Sequence, residues 1–234
     1  MIQEKYTIDP LKEFGKDLLY IEKPGRYVGG EYGLYNHNNK LLKMAIAFPD
    51  LYEIGMSNQA IKILYNNLNQ LEDVSCDRVF APAPDFEKLL QEKKIPLYTL
   101  DVYRPLYQLD ILGISLGYEL CITGMLSLLQ SGWIPLKNKD RTEQHPIIII
   151  GGPAASNPIP FQQFVDAVWI GEAEDAFFKL IEKLRDAKRE GIGRTGILEI
   201  IKAEEAVWVP GKKSKRNIAI NFSKTTPIVP TLPT

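Results

Sequence analysis

The chain has 234 residues, of which 45% are hydrophobic and 24% charged, a composition typical of a folded globular protein with one main core. Its formal net charge of −1 gives no basic field that would attract nucleic acid and no acidic excess typical of a solvating tail. Composition therefore argues against a general polyanion-binding protein, and we expect no nucleic-acid partner.

The N-terminus lacks the charged-then-apolar layout of a signal peptide, and no apolar run approaches the roughly 18 residues that a membrane span requires. The two cysteines, Cys76 and Cys121, lie far apart within apolar runs. This placement favours buried thiols in a reducing compartment over a disulfide framework or a metal site. We therefore expect a cytoplasmic protein that makes no membrane contact.

Residues 1–42 are predicted to form an N-terminal extension, because prolines and glycines interrupt every periodic run in them. Within this extension, residues 26–35 favour a short hairpin in which Gly29 and Gly30 supply the positive φ angles of a tight turn. We interpret the hairpin as a surface arm that packs on the rest of the chain. A glycine-rich flap over a ligand is the alternative.

Strand-like and helix-like runs alternate over residues 43–190, which is typical of a parallel sheet with crossover helices. The predicted strands are residues 44–48, 74–80, 97–100, 111–115, 147–150 and 167–170. Four successive apolar residues in the fifth strand favour a central position covered on both faces. Right-handed crossovers then predict an α/β domain, a Rossmann-like or flavodoxin-like three-layer parallel sheet of order 3-2-1-4-5.

Apolar residues at the spacing i, i+3, i+4 and i+7 predict four helices in the same region. Their stripes are Ile61, Leu64, Tyr65 and Leu68; Phe86, Leu89 and Leu90; Tyr118, Cys121, Ile122, Met125, Leu128 and Leu129; and Phe177, Leu180, Ile181 and Leu184. We expect Ser57 to cap the first helix and Gly132 to end the third. The fourth helix is predicted to begin within residues 171–175, whose carboxylates would complement its dipole.

Residues 191–234 are predicted to hold a linker, a β-hairpin and a proline-rich tail. The linker spans residues 191–196, the hairpin joins residues 206–209 to 217–222, and the basic residues 212–216 form its solvated turn. The prolines of residues 227–233 favour extended structure and cannot close a core. We expect this tail to lead to a further domain.

Small or polar residues follow three of the predicted strands, at residues 50–55, 115–117 and 151–153. The predicted strand order brings these three turns together at the switch point where α/β sheets bind ligands. Glycines there would let a large planar or nucleotide-bearing ligand approach the backbone, and Ser115 could donate a hydrogen bond to it. The sequence therefore predicts a ligand crevice, although each feature alone also fits an ordinary turn.

Other chemical interpretations have less support. Glu172 and Glu174 could act as general acid and base, but carboxylates at a helix start more commonly complement the dipole. Asp50 and Glu53 could form a metal pair, but no third ligand stands near them in the sequence. The chain has no phosphate-binding P-loop and no Gly-x-Gly-x-x-Gly after the first strand, which argues against nucleoside triphosphates and dinucleotides.

Three short motifs together resemble the fingerprint of cobalamin-binding domains, which is Asp-x-His-x-x-Gly, then Ser-x-Leu or Ser-x-Thr, then Gly-Gly. Here the corresponding residues are Asp50, Tyr52 and Gly55, then Ser115 to Gly117, then Gly151 and Gly152. More narrowly, the chain from residue 26 to 233 resembles the N-terminal part of a group of cobalamin-domain radical SAM proteins. The segments that carry this resemblance, in order, are residues 27–31, 48–57, 78–82, 113–120, 151–153 with 157–158, and 170–172.

The resemblance implies a set of cobalamin-binding residues and leaves catalytic residues unidentified. The set is Asp50, Tyr52, Gly55, Ser115, Gly117, Gly151, Gly152 and Glu172. Asp50, Tyr52 and Gly55 would form the loop under the corrin. Ser115, Gly151 and Gly152 would form the pocket for its nucleotide tail.

Two residues depart from the fingerprint. Tyr52 stands where the fingerprint has the histidine that ligates cobalt from below, and a neutral phenol with a pKa of about 10 is a poor cobalt ligand. Gly117 replaces the Leu or Thr of the second motif. His37 and His145 lie elsewhere, and we interpret them as ordinary surface histidines. Two alternatives stay open: cobalamin bound without a lower histidine ligand, or a family member that kept the fold without the cofactor.

A radical SAM core requires three cysteines in a Cys-x-x-x-Cys-x-x-Cys loop to hold a 4Fe–4S cluster, and Cys76 and Cys121 cannot supply them. The resemblance therefore implies that S-adenosylmethionine and the cluster belong to a domain after the proline-rich tail. The chain would partner its own C-terminal radical SAM domain and would not catalyse alone, whereas the full-length protein would be a radical SAM enzyme. A cofactor-free docking module is the first alternative. A free-standing enzyme that uses Asp50 and Glu172 is the second.

Overall fold

The structure is a computed structural model that describes residues 7–220, and a six-stranded sheet forms its centre. The strands are β1 (Leu42–Phe48), β2 (Val74–Phe80), β3 (Ile111–Ser115), β4 (Ile147–Gly151), β5 (Ala167–Trp169) and β6 (Val207–Trp208). Their order is β2-β1-β3-β4-β5-β6, with β1 to β5 parallel and β6 antiparallel to β5. This topology confirms the predicted α/β fold of the Rossmann-like and flavodoxin-like class.

The predicted strand at residues 97–100 is wrong, and its absence turns the predicted order 3-2-1-4-5 into the observed one. The segment folds back on itself, with Thr99 N donating to Arg104 O at 2.9 Å. One backbone bond, from Leu100 N to Arg78 O at 2.9 Å, ties it to β2. Pro96 precedes the segment and Pro105 forms an isolated bridge with Tyr98, and proline cannot donate to a ladder of strand hydrogen bonds. The other five predicted strands are all present.

Seven α-helices lie within the described residues and cover both faces of the sheet. They are α1 (Pro10–Phe14), α2 (Tyr52–Ser57), α3 (Gln59–Gln70), α4 (Pro84–Lys93), α5 (Ile122–Ser131), α6 (Ala176–Arg189) and α7 (Arg194–Ala203). Ile148 and Ile150 of β4 pack with α4, α5 and the N-terminal segment, while Ile147 and Ile149 pack with α3, α6 and α7. The buried central strand therefore serves two separate core clusters. Cys76 and Cys121 are buried free thiols, as predicted.

Two predicted helix starts shift by a few residues. Asn58 caps α3 through a hydrogen bond from Ile61 N at 3.3 Å, whereas Ser57 is the last residue of α2. The fourth predicted helix, α6, begins at Ala176, so Glu172 and Glu174 precede its first turn. The predicted start within residues 171–175 was therefore too early, because those residues form an irregular connection from β5.

The predicted hairpin at residues 26–35 is also wrong, because that segment contains no strand. Gly29 and Gly30 do have the positive φ angles, 62° and 86°, that the prediction required. Gly29 serves a close approach, since a Cβ there would lie 2.6 Å from Leu100 O, whereas a Cβ on Gly30 would meet no atom within 4 Å. Phe14 and other residues of the N-terminal segment are buried in the core cluster of α4 and α5.

The chain after α6 departs from its prediction as well. Helix α7 begins inside the predicted linker 191–196, and β6 pairs with β5. Asn217 forms a single bridge to Gly171 instead of a hairpin with residues 206–209. The hairpin is therefore not formed within the described residues, and the proline-rich tail 227–233 lies outside them. No helix of residues 7–220 has both the length and the hydropathy required to cross a membrane.

Candidate functional site

A pocket of about 200 Å³ opens at the carboxyl ends of the central strands, between the sheet and helices α3 and α6. We call it the carboxyl-edge pocket. The residues of its floor that matter below are Gly113, Ser115, Gly151 and Gly152, and those of its walls are Ile63, Leu64, Trp169, Glu174 and Phe177. Most of this lining is apolar.

The pocket exists because small residues occupy one face of two adjacent strands. Ser115 of β3 lies opposite Gly151 of β4 in the parallel register, and Gly113 lies two residues before Ser115 on the same face. On the other face, the neighbouring Ile114 and Ile150 are fully packed. Two glycines and a serine thus leave space on the side of α3 and α6 alone.

Gly151, the last residue of β4, and Gly152, which follows it, have different physical roles. Gly152 has φ +98° and ψ 178°, and a Cβ there would lie 2.6 Å from Leu116 O. This backbone region is nearly restricted to glycine. At Gly151 the nearest heavy atom to an added Cβ, Trp169 Cβ, would lie 3.8 Å away. Gly152 is therefore required by the turn, whereas the missing side chain of Gly151 leaves room in the pocket.

Hydrogen bonds join the loops after β3 and β4. Leu116 N donates to Gly151 O at 2.8 Å, and Ala154 N donates to Leu116 O at 3.2 Å. Ser115, Gly151 and Gly152 therefore come together as the sequence predicted. Gly117, which follows Leu116, is exposed and does not line the pocket.

Asp50 lies at the same edge of the sheet but outside the pocket lining. Its carboxylate accepts a hydrogen bond from Leu51 N at 2.7 Å, and its carbonyl accepts one from Ala81 N at 3.0 Å. The Asp50 carboxylate also contributes, after Cys121, to raising the pKa of Tyr118 in the loop after β3. The loops after β1 and β3 are thus neighbours, although Asp50 mainly holds its own turn.

Tyr52 and Gly55 both lie against Phe80 of β2. The Tyr52 hydroxyl donates to Glu31 Oε1 at 2.8 Å, and its ring meets Phe80 edge-on at 5.5 Å. Burial, followed by the hydrogen bond to Glu31, raises the pKa of this phenol well above its ordinary value. A Cβ on Gly55 would lie 2.2 Å from the Phe80 ring. Gly55 therefore permits α2 to pack on β2, and neither residue lines the carboxyl-edge pocket.

Glu172 is exposed and holds the chain near residue 217. Its backbone N donates to Asn217 O at 3.1 Å, its carbonyl accepts from Trp169 Nε1 at 3.0 Å, and its carboxylate accepts from Ala219 N. Glu53, the other half of the suggested metal pair, instead forms ion pairs with Lys23 and Arg26. The structure therefore groups three of the eight predicted site residues in the pocket and places the other five around it.

Sequence reasoning missed the wall that α6 and β5 build. Trp169 and Phe177 meet edge-on with ring centroids 5.2 Å apart, and both are buried. Trp169 had been assigned to a strand and Phe177 to a helix stripe, and each assignment is right. Both rings line the pocket because the residues near them, Gly151 and Ser115, are small. Only the fold brings these residues close to the two rings.

Residues 60–210, more than half of the chain, match the family described as "Radical SAM proteins, N-terminal". The chain belongs to this family. A search of curated proteins and a search of solved structures found no match. The matched region of this radical SAM N-terminal chain contains α3, α6 and every strand from β2 to β6, and hence most of the pocket.

The chain also contains a buried polar cluster against β2, in which His37, from before the matched region, meets residues within it. His37 Nδ1 lies 2.9 Å from Ser75 Oγ, and His37 Nε2 lies 3.3 Å from Asp101 Oδ2. Asp101 also accepts hydrogen bonds from Tyr65 at 2.5 Å and from Arg78 at 2.8 Å. His37 is only 6% exposed, so its interpretation as a surface histidine was wrong.

Burial and the neighbouring charges shift the pKa values of the two carboxylates in this cluster in opposite directions. Burial alone would raise the pKa of Asp101, but the hydrogen bond from His37 and the charge of Arg78 lower it below its ordinary value. Neighbouring Asp77 has its pKa raised by burial and then by the Asp101 charge. Ser75, His37 and Asp101 are all enclosed, so this Ser-His-Asp contact has no access to a substrate.

Proposed function

We propose that this chain is a cobalamin-binding-type N-terminal domain of a radical SAM protein, and that its carboxyl-edge pocket holds the nucleotide tail of a corrinoid. The observation that carries the proposal is the pocket itself, which lies at the carboxyl ends of β3 and β4, next to the switch point between β1 and β3, and is lined by Ser115, Gly151 and Gly152. The corrin ring would lie outside the pocket, over the loops that follow β1 and β3.

The residues present fit this group. Pockets for whole drug-sized ligands are roughly 300–1,000 Å³. A volume of about 200 Å³ therefore suits one ring system and excludes a complete macrocycle. Gly151 permits close approach to the backbone, and apolar side chains of α3 face the aromatic wall of Trp169 and Phe177. A bound corrinoid would supply cobalt chemistry that amino-acid side chains lack.

The position of Tyr52 supports binding without a lower protein ligand. Its hydroxyl is engaged by Glu31 and its ring is packed on Phe80. Because its pKa is raised, the phenol stays protonated at neutral pH and offers no anionic oxygen to a metal. A corrinoid would therefore be held by its tail and by contacts with the corrin edge.

A second candidate function is docking of another domain on the same edge of the sheet. The segments that follow β1, β3 and β4 expose large apolar side chains, namely Ile54, Tyr118, Leu120 and Ile159. A C-terminal radical SAM domain of the same protein, with its 4Fe–4S cluster and S-adenosylmethionine, is the partner that the family suggests. The chain of 234 residues has two cysteines, fewer than such a cluster requires. We therefore propose that cluster chemistry belongs to that partner domain.

Filling the pocket tests the cofactor proposal. We expect the purified chain to co-elute with hydroxocobalamin in gel filtration, with a visible corrinoid spectrum under the protein peak. Gly151→Val should remove this colour while circular dichroism shows an unchanged fold, because an added Cβ is accommodated and the extra methyl groups occupy the pocket.

Ile148→Val is the matched control, since Ile148 is a β4 residue outside the pocket lining whose side chain is packed in the opposite core cluster. It should bind like the parent chain. A colourless parent chain would overturn the cofactor proposal and leave the docking function as the better account. Equal binding by Gly151→Val would place the corrinoid somewhere other than this pocket.

A further inference from the structure

Two polar groups in the carboxyl-edge pocket have no partner within residues 7–220. Neither the Ser115 hydroxyl nor the Glu174 carboxylate makes a hydrogen bond or an ion pair with another described residue. Both side chains are half-buried. The pocket therefore offers a hydroxyl and a carboxylate to its ligand within an otherwise apolar lining.

These two groups determine which ring the pocket favours. A carboxylate only accepts hydrogen bonds, and a hydroxyl can donate one. A ring that covers Glu174 but has no N–H donor displaces water from the carboxylate without replacing the lost hydrogen bonds, which weakens binding. A ring that carries both an amino group and a ring nitrogen has a donor for the Glu174 carboxylate and an acceptor for the Ser115 hydroxyl.

We infer that the carboxyl-edge pocket is selective for an aminopurine ring such as adenine, recognised by Glu174 and Ser115 between Leu64 and the aromatic pair Trp169 and Phe177. The inference rests on the proposed function and specifies which class of corrinoid the pocket would bind. A corrinoid with an adenine lower base should bind more tightly than cobalamin, whose dimethylbenzimidazole carries methyl groups and no amino donor.

Calorimetric titration of the 234-residue chain tests this with three probes: hydroxocobalamin, its adenine-based counterpart, and free adenosine. The two corrinoids also differ in how firmly the lower base holds cobalt. The diagnostic quantity is therefore the ratio of their Kd values, compared between the parent chain and a Glu174 variant. We expect the parent to prefer the adenine-based corrinoid by about tenfold more than Glu174→Leu does.

Glu174→Gln serves as the matched control, because its side-chain carbonyl can still accept a hydrogen bond. It should keep most of the preference that Glu174→Leu loses. Since the Glu174 side chain has no described partner, neither change should unfold the chain, and circular dichroism checks this.

The other outcomes separate this inference from the proposed function. An identical ratio in the parent and in Glu174→Leu would overturn the inference while corrinoid binding stands. Binding of neither corrinoid would overturn the proposed function. If adenosine then bound in a manner that depended on Glu174, the base specificity would be supported, with a free adenine nucleoside as its source. Binding of no probe would overturn both.

Discussion

At the residue scale, adjacent glycines in this chain serve different purposes. Gly152 accommodates a backbone conformation and a close carbonyl, whereas Gly151 leaves volume beside Trp169. The sequence shows two identical letters, and the motif predicts that both lie at a ligand crevice. Only the φ angle and the contacts of each position separate the structural glycine from the one that makes space.

This difference predicts that an added methyl group changes the stability of the fold at Gly152 but hardly at Gly151. Gly152→Ala should lower the free energy of unfolding by about 1–3 kcal/mol, because alanine must adopt a positive φ against Leu116 O. Gly151→Ala should change it little, since its Cβ meets nothing closer than 3.8 Å. Urea denaturation followed by circular dichroism measures both. Equal losses in the two variants would contradict the assignment.

Residues whose role depends on distant partners were the least predictable. His37 lies in a segment without periodicity, and its partners Ser75 and Asp101 are 38 and 64 residues away. A histidine in such a segment is ordinarily exposed, and no local pattern marks its burial. Glu174 is similar, because only the fold shows that it faces a cavity rather than a helix dipole.

At the element scale, strands with a continuous apolar run were predicted well and irregular segments poorly. Residues 147–150 have four isoleucines and can only be buried, so both the strand and its central place follow. Residues 97–100 have a similar hydrophobic pattern, yet their hydrogen bonds close a local turn with Arg104. The segment is buried, as its hydrophobic residues indicate, but its backbone pairs with residues 104–106 rather than in a ladder with a neighbouring strand.

The N-terminal segment is attached to α2 by charges, which gives it a pH dependence. Desolvation opposes ionisation of Glu53, but hydrogen bonds from Arg26 and Lys23 lower its pKa to about 2 from 4.5. Because the pKa of Glu53 is lower in the folded state than in the unfolded state, its ionisation stabilises the fold at pH values above the pKa of the unfolded state. That contribution disappears as the pH falls from about 4.5 to about 2.

We therefore expect the stability difference between the parent chain and Glu53→Gln to shrink as the solution is acidified. At pH 7 the variant should be less stable by about 0.5–1 kcal/mol, a small effect because the Glu53 side chain is 45% exposed. At pH 2.5 the difference should be mostly gone. Urea midpoints for both proteins across this range provide the test. A difference that is independent of pH would show that the ion pairs contribute nothing.

At the scale of the whole molecule, the N-terminal segment is part of the main core. Phe14 is 2% exposed, and its ring meets Phe86 edge-on, with centroids 5.3 Å apart, and stacks on Tyr98, with centroids 6.3 Å apart. Tyr27 stacks on Phe86 with centroids 3.6 Å apart. The sequence predicted a separate extension because the segment lacks regular periodicity, but aromatic side chains at irregular spacing still bury themselves against α4.

Phe14→Ala should therefore destabilise the whole chain, by about 3–5 kcal/mol, because it leaves a cavity among buried rings. Leu11→Ala on the same helix is the control, since Leu11 is 67% exposed and its loss should have little effect. Thermal unfolding monitored at two wavelengths would show one cooperative transition shifted as a unit. A separate early transition in Phe14→Ala would contradict a shared core.

The one-sided hollow in the sheet has a consequence for how such a molecule changes over time. Large buried side chains fill the layer under α4 and α5. The pocket beneath α3 and α6 is instead formed by small residues, whose substitution leaves the packing of that layer unchanged. Ligand preference can therefore drift through exchanges at Gly151, Ser115 or Glu174 without disturbing the opposite layer. Proteins that share this fold can therefore differ in the ligand they bind and still unfold at similar temperatures.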